Sequence, residues 1–322
     1  MKNILVVGGA GFIGSHVVKM LDQAGYQPII LDNLSTGSIN AVTRGIFIQG
    51  DMADKDVLDK IFQSHAISAV MHFAALTDVG ESITDPQKYY FNNVVTTVNL
   101  LCAMIKYQVK VFIFSSSAAI FGLPLEEYIS ENHPCRPINP YGKSKLMVEE
   151  ILQDYDRSYG LRFCCLRYFN AAGGDPDNEI KNYKKKENNL IPVILRSLKF
   201  GDGAVTIFGN DYPTPDGTCI RDYIHVSDLG AAHLRALEQL FERKQSCCFN
   251  LGNGRGFSVR EVIRVAEQVT NKKLRIIEGP RREGDPPVLL ANGAHAKQTL
   301  RWEPQYSDLS TMVKHAWQAL SV

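Results

Sequence analysis

Apolar positions along this chain follow two periods that alternate with one another. Ile4-Leu5-Val6-Val7 is a short run without polar interruption; it meets the turn Gly8-Gly9-Ala10-Gly11-Phe12-Ile13-Gly14, and a helical period follows from Ser15 to Ala24. An unbroken apolar run bounded by glycine reads as a strand buried on both faces, so the pattern predicts strand, tight turn and helix. The same alternation continues with a strand Pro28-Ile29-Ile30-Leu31 ending at Asp32, a polar loop from Asn33 to Arg44, and a strand Gly45 to Gln49 ending at Gly50-Asp51-Met52. Val57, Leu58, Ile61 and Phe62 then mark the buried stripe of a helix between Asp54 and His65. A strand Ala69 to Ala75, a long helix Pro86 to about Gln108, a strand Lys110 to Phe114 ending in Ser115-Ser116-Ser117, a helix Tyr141 to Tyr159 and a strand Phe163 to Asn170 complete the series. Strands separated by helices, with no hairpin signals, imply right-handed crossovers and an α/β, doubly wound sheet of at least six parallel strands.

Beyond Asn170 the texture changes. Gly173-Gly174-Asp175-Pro176 opens an irregular polar stretch through Asn189, and its Lys184-Lys185-Lys186 run reads as a solvated loop rather than a phosphate patch. A helix Leu190 to Phe200, short elements around Val205 to Phe208 and Ile220 to Val226, a helix Ser227 to about Lys244, a strand Cys248 to Leu251 and a helix Ser258 to Thr270 follow. The expected organisation is a Rossmann-type domain over residues 1–170, with returning segments at roughly 218–252, and a smaller mixed C-terminal domain over 171–322 that binds substrate.

Composition narrows the class. The 322 residues are 45% hydrophobic and 21% charged, as in a soluble globular protein with an ample core. With 35 basic against 34 acidic side chains, for a net charge of +1, no overall field recommends nucleic acid or an anionic membrane as partner, and a small molecule is the better expectation. The seven cysteines include the adjacent pairs Cys164-Cys165 and Cys247-Cys248 but no C-x-x-C, which suits buried thiols in the cytoplasm. The chain opens on a core strand rather than an export signal, and no apolar stretch has the length of a membrane span. No metal site is expected.

The glycine turn carries the first candidate chemistry. A backbone that closely approaches a pyrophosphate carries no side chains there, and the helix that follows offers free N–H groups and the positive end of its dipole. Glycine turns also join strands to helices in proteins that bind nothing. Here the frame is completed by Asp32 at the end of the second strand, where a carboxylate accepts hydrogen bonds from an adenosine ribose, and by Asp51-Met52, placed to flank an adenine. His72 lies inside a strand without an acidic or cysteine partner at ligand spacing, so a packed role is expected for it.

Tyr141 and Lys145, four apart, project from one face of a helix and can share a cavity. A phenol titrates near about 10, and a nearby ammonium favours its ionised form, which makes the tyrosine a candidate base. Such a pair also arises by chance on surface helices. Gly142-Lys143-Ser144 resembles the end of an ATP-binding loop, but Pro137 stands where that loop needs glycine. Ser117, ending the preceding strand, faces the ligand crevice and completes a Ser117, Tyr141, Lys145 proton relay, although chemistry alone does not separate the three consecutive serines.

Together with Arg167-Tyr168-Phe169-Asn170, Phe208-Gly209-Asn210-Asp211-Tyr212 and Arg221-Asp222-Tyr223-Ile224-His225-Val226, these motifs resemble the extended short-chain dehydrogenase/reductases, and within them the nucleotide-sugar 4-epimerases. The resemblance runs from Lys2 to about Trp317. It implies tightly held NAD and a reaction at C4 of a UDP-hexose, UDP-galactose to UDP-glucose, through a transient 4-keto sugar. It places Gly8, Gly11, Phe12, Ile13 and Gly14 at the pyrophosphate, Asp32 and Asn33 at the ribose, Asp51 and Met52 at the adenine, and Phe73, Ala74 and Ala75 along the cofactor. Asn93, Tyr141, Lys145 and Tyr168 fall toward the nicotinamide. Ser117, Tyr141, Asn170, Asn189, Leu190, Phe208, Arg221, Tyr223, Arg282 and Asp285 match substrate positions, the arginines supplying charge for a diphosphate. Asp32 favours NAD over NADP by repelling a 2′-phosphate. A homodimer through the two long helices is also implied.

Three departures from the family pattern stand out: Phe121 where tyrosine is usual, Thr77 where lysine is frequent, and Leu289 at a position that helps gate N-acetylated sugars. A UDP-N-acetylglucosamine or UDP-pentose 4-epimerase therefore stays open. Dehydratases and decarboxylases of the family add acidic residues after the catalytic serine, where this chain has Ala118 and Ala119, and a non-catalytic NAD sensor does not need the Tyr-Lys pair.

Overall fold

In the computed structural model, residues 1–183, 188–282 and 284–321 are described; the Lys184-Lys185-Lys186 run lies outside the described residues. Seven strands form one sheet: β1 (Asn3–Val7), β2 (Gln27–Asp32), β3 (Ile46–Gln49), β4 (Ile67–His72), β5 (Val111–Ser117), β7 (Arg162–Tyr168) and β11 (Cys247–Leu251). Between β5 and β7 lies the short β6 (Tyr128–Ile129), which belongs elsewhere. The order is β11-β7-β5-β4-β1-β2-β3, every pairing is parallel, and the order reverses at β1.

The unbroken apolar runs are explained by cover on both faces. Ile4 and Val6 pack with Val17, Val18 and Leu21 of α1 (Phe12–Gln23) and with Leu229, Ala232, Leu237 and Leu240 of α8 (Val226–Arg243). Leu5 and Val7, one residue out of phase, pack with Leu58 and Phe62 of α2 (Lys55–Ser64), Leu100 and Met104 of α5 (Thr96–Lys106), and Val148 and Leu152 of α6 (Pro140–Tyr159). Each such side chain contributes about 1.5–3 kcal/mol on burial.

The long helix expected from Pro86 is not regular. It begins as α4 (Pro86–Tyr90), after the short α3 (Val79–Thr84), opens into a π turn over Phe91–Val95, and resumes as α5. The Thr97 hydroxyl donates to the Asn93 carbonyl at 2.8 Å and that of Thr96 to the Asn92 carbonyl, so hydroxyls engage the carbonyls at the slip in the backbone ladder.

The last strand also ends sooner than the apolar run suggests. β7 stops at Tyr168, and after Phe169 the chain changes sheets: β8 (Asn170–Ala172) pairs in parallel with β10 (Ile220–His225). β10 also pairs with β12 (Gly256–Ser258) and β14 (Val288–Ala291), and β14 with β6. A third pairing joins β9 (Ala204–Phe208) to β13 (Arg275–Gly279). Ile191, Ile194 and Leu195 of α7 (Leu190–Phe200), Val262 and Ile263 of α9 (Val259–Thr270), and Met312 and Val313 of α11 (Leu309–Ala319) form the core of this part; α10 (Ala294–Leu300) packs instead with the first sheet. Among the described residues no helix is long and apolar enough to cross a membrane.

Candidate functional site

A cavity of about 450 Å³ opens where β1, β4 and β5 end, between the sheet and the smaller part. Its floor is the glycine turn. Gly8 has φ +81°, and a Cβ there would lie 2.5 Å from the Ala74 nitrogen, so only glycine lets this turn approach the chain leaving β4. No side chain caps the start of α1 at Gly11, which leaves its first N–H groups facing the cavity wall formed by Gly11, Phe12, Ile13 and Gly14.

A second, smaller hollow continues from the turn and is lined by Asp32, Asn33, Asp51, Met52, Phe73, Ala74 and Ala75. The Asp32 carboxylate accepts from the Ala10 amide at 2.9 Å through Oδ2 and from the Leu34 amide at 2.8 Å through Oδ1. Each oxygen therefore keeps acceptor capacity. Asn33 donates to Asp51 at 2.8 Å, tying the ends of β2 and β3 together.

Ser117, Tyr141 and Lys145 meet at the other end of the cavity. The Asn139 side chain caps α6 by accepting from the Gly142 amide at 2.8 Å, and Pro140 takes the first helical position. A Cβ on Gly142 would lie 2.4 Å from the Ala119 carbonyl oxygen, so glycine brings this helix start against the turn after β5. Strand alternation separates the three serines. Ser116 points away and donates to Glu149 at 2.6 Å, whereas Ser115 and Ser117 face the cavity, Ser115 bonded to the Tyr168 hydroxyl and Ser117 to Tyr141.

Electrostatics here differ from the simple expectation of an ammonium that depresses the phenol. Burial pushes the Tyr141 phenol up, and the hydrogen bond with Ser117 pulls against it. Burial brings Lys145 down from 10.5 to about 7, against the attraction of Glu149 one turn on. Its Nζ donates to the Ser115 carbonyl at 2.8 Å and lies 4.8 Å from the Phe114 ring centre. Both groups are thus neutral-leaning when buried without a further charge, and a positive ring arriving beside them favours the phenolate. Tyr168, also buried, is pushed up well above the ordinary phenol.

The remaining sequence-selected residues divide. Asn170, Asn189, Arg221, Asp285 and Leu289 line the cavity. Arg221 donates to Asp285 at 3.1 Å and to the Pro286 carbonyl at 2.8 Å, so Asp285 holds the arginine in place. Asp222 ties its strand to β14 by accepting from the Ala291 amide at 3.1 Å, and burial raises its carboxyl to about 6. Asn93 does not line the cavity; inside the π turn its amide donates to the Leu76 carbonyl at 3.0 Å and to Ser144 at 3.1 Å, bracing the wall. Tyr223, on the same strand face as Arg221 and in electrostatic contact with it, is buried with Ile191 and Ile194 behind the cavity lining. Leu190 packs against that same core, and Arg282 stacks 4.0 Å over the Phe208 ring, both apart from the cavity lining.

Among the departures, Thr77 lines the cavity, but Phe121 is fully buried against His133 and Arg167. His72 is packed as expected, bonded to Thr97 at 2.8 Å and pushed down to about 3 by burial. Thr36, Ser38, Lys181, Asn182, Tyr183 and Asn188 also line the cavity and were not selected from the sequence. They sit in aperiodic polar stretches, where no spacing marks one residue above its neighbours.

Known proteins resemble this chain along nearly its whole length. The UDP-glucose 4-epimerase of Halalkalibacterium halodurans is 49% identical over 314 residues, covering 98% of this chain and 94% of that protein. The structure of UDP-glucose 4-epimerase from Brucella ovis in complex with NAD superposes with a TM-score of 0.96 at 46% identity, covering 98% of both chains. That from Bifidobacterium longum, in complex with NAD+ and UDP, gives 0.93 at 35% identity, covering 98% of this chain and 97% of that one. The model of the NAD dependent epimerase/dehydratase family matches residues 4–252. A uniformly parallel sheet reversing at β1, a glycine turn under an uncapped helix and a serine, tyrosine and lysine brought to one cavity are therefore this chain's version of a shared design, and the chain belongs to the NAD dependent epimerase/dehydratase family.

Proposed function

We propose that this chain is an NAD-dependent epimerase that inverts C4 of a UDP-hexose, interconverting UDP-galactose and UDP-glucose through a 4-keto sugar. The observation that carries the reading is the convergence of Ser117, Tyr141 and Lys145 on the cavity that the glycine turn floors. The residues fit a dinucleotide. The uncapped start of α1 receives a pyrophosphate, and Asp32, with one backbone donor on each oxygen, has lone pairs left for a ribose. When bound, NAD supplies the hydride acceptor and donor.

The protein's own residues hold and move the proton. Tyr141, ionised in the presence of the positive ring, takes the proton of the sugar 4′-hydroxyl, and the Ser117 hydroxyl at its side orients or relays it. Lys145, fixed by the Ser115 carbonyl, holds the nicotinamide side of the cavity, where its charge supports the phenolate. Arg221, braced by Asp285, binds the diphosphate, with Asn170 and Asn189 beside it and Phe208 with Arg282 toward the uridine. Asn93 acts by holding Leu76 and α6 in position. Leu289 lines the cavity, and acceptance of N-acetylated sugars stays open at that position.

We divide the chain at about residue 170; within the expected return of 218–252, α8 and β11 rejoin the first sheet while β10 stays with the second. A homodimer packed on the two long helices accords with exposed Phe91, Val95 and Met147 on them, and cytoplasmic residence accords with seven unpaired cysteines. Incubating the purified protein with UDP-galactose and without added NAD tests the reaction: UDP-glucose supports it, and a 4-keto-6-deoxy sugar product overturns it.

A further inference from the structure

The two adjacent-cysteine pairs have no part in this chemistry, yet they sit on neighbouring parallel strands and in register, Cys164 opposite Cys247 and Cys165 opposite Cys248. Successive strand residues point to opposite faces, so the cross-strand thiol pairs lie one on each face of the sheet. Adjacent strands are about 4.8 Å apart, within the ~4.4–6.8 Å separation of Cα atoms that a disulfide spans. Within each pair the thiols hydrogen-bond to one another.

The two faces are chemically unlike. Cys164 and Cys247 lie in the apolar cluster under α8. Cys165 and Cys248 share their face with the Glu149 carboxylate, all three ligand atoms lying within 4.8 Å of one another, and with the Arg167 guanidinium. A cation does not suit this group, because Glu149 is already bound by Ser116 at 2.6 Å and by Arg167 at 2.6 and 3.0 Å. The surroundings instead favour a thiolate at Cys248: the hydrogen bond from Cys165 and the charge of Arg167 lower its thiol, against burial and the Glu149 charge. Cys248 is also half-buried on β11, the outermost strand, whereas Cys165 is fully buried behind it.

We propose that Cys248 and Cys165 form a peroxide-oxidisable dithiol, with Cys248 attacking and Cys165 resolving. The Cys248 thiolate attacks one oxygen of hydrogen peroxide; the O–O bond breaks, hydroxide leaves and takes a proton from solvent, and the sulfur becomes a sulfenic acid. The Cys165 sulfur then attacks that sulfur; the S–S bond forms, the S–O bond breaks, and the oxygen departs as water with the Cys165 proton. Two electrons pass from the pair of sulfurs to the peroxide.

The test treats the purified full chain with limiting hydrogen peroxide and maps its peptides by mass spectrometry. The expected product is one Cys165–Cys248 crosslink, reversed by dithiothreitol. In Cys165→Ser, dimedone should label the Cys248 sulfenic acid. In Cys248→Ser the crosslink should be lost and peroxide consumption slowed, while basal turnover is unchanged. A crosslink between Cys164 and Cys247 or between Cys135 and Cys248, or a Cys248→Ser protein that oxidises as fast as the parent, overturns the assignment. If a variant fails to fold, the peptide map of the parent chain decides by itself.

Discussion

Tyr141 and Lys145 are both buried and both shifted toward their neutral forms, which leaves the phenol protonated at neutral pH and the amine, at about 7, near half-protonation. Removing the phenol oxygen removes the group that takes the substrate proton, and Tyr141→Phe should lower conversion of UDP-galactose by about 10²–10⁴-fold. The variant should keep its dinucleotide, measured as NAD released on denaturation; unchanged turnover would refute the assignment. Lys145 makes a separate, thermodynamic prediction. Its folded-state value of about 7 lies below its ordinary 10.5, so its contribution to stability is complete above pH 10.5 and is lost as pH falls toward 7. Lys145→Met abolishes that term. The melting temperature of the parent relative to the variant should therefore rise across this window, and a difference independent of pH would show the amine to be unshifted.

At the scale of elements, local sequence and tertiary position agree for the strands and for α6, whose start is written in Asn139-Pro140 and whose end is Gly160 in the left-handed region at φ 66°. Asn139→Ala should cost about 1 kcal/mol, read as a lower midpoint in urea, and should also loosen the helix that carries the tyrosine. Gly11→Val places a branched side chain at the uncapped start of α1, and the purified variant should lack bound NAD; a full complement would mean the turn does not hold the pyrophosphate. The parallel sheet and the Ser117, Tyr141, Lys145 site were legible because period, turn chemistry and helix spacing are local signals. The π turn over Phe91–Val95 was not, since nothing in the apolar period there marks a slip in the backbone ladder. The depth of Tyr223 was not legible either: motif position gives the strand, but its burial depends on the sheet that β8 and β10 build together.

For the molecule as a whole, one buried ion pair joins α1 to the stretch after β8: Lys19 donates to both oxygens of Asp175 at 2.9 Å, with Asp177 at 2.7 Å. No apolar pattern announces it, because its members are 156 positions apart. Asp175→Ala should destabilise by on the order of 2 kcal/mol, less than the full penalty for an orphaned buried charge because Asp177 remains in reach of the amine. The Asp175 carboxyl is held below its usual 3.8 by Lys19 and two backbone amides in spite of burial, so its stabilisation is present above that pH and fades as pH drops further. Asp175→Asn should blunt the parent's acid sensitivity in thermal melts, and equal sensitivity would contradict the assignment.

The passage from β7 to β8 has a mechanical consequence. Tyr168 belongs to the sheet that carries the glycine turn and Asn170 to the sheet that carries Arg221, with Phe169 alone between them. A single-residue tether has almost no slack, so the two halves of the site cannot slide apart there. A sugar that must present first one face and then the other to a fixed hydride acceptor would thus turn within walls whose separation at this seam is set by the covalent chain, while its diphosphate stays anchored on the far side.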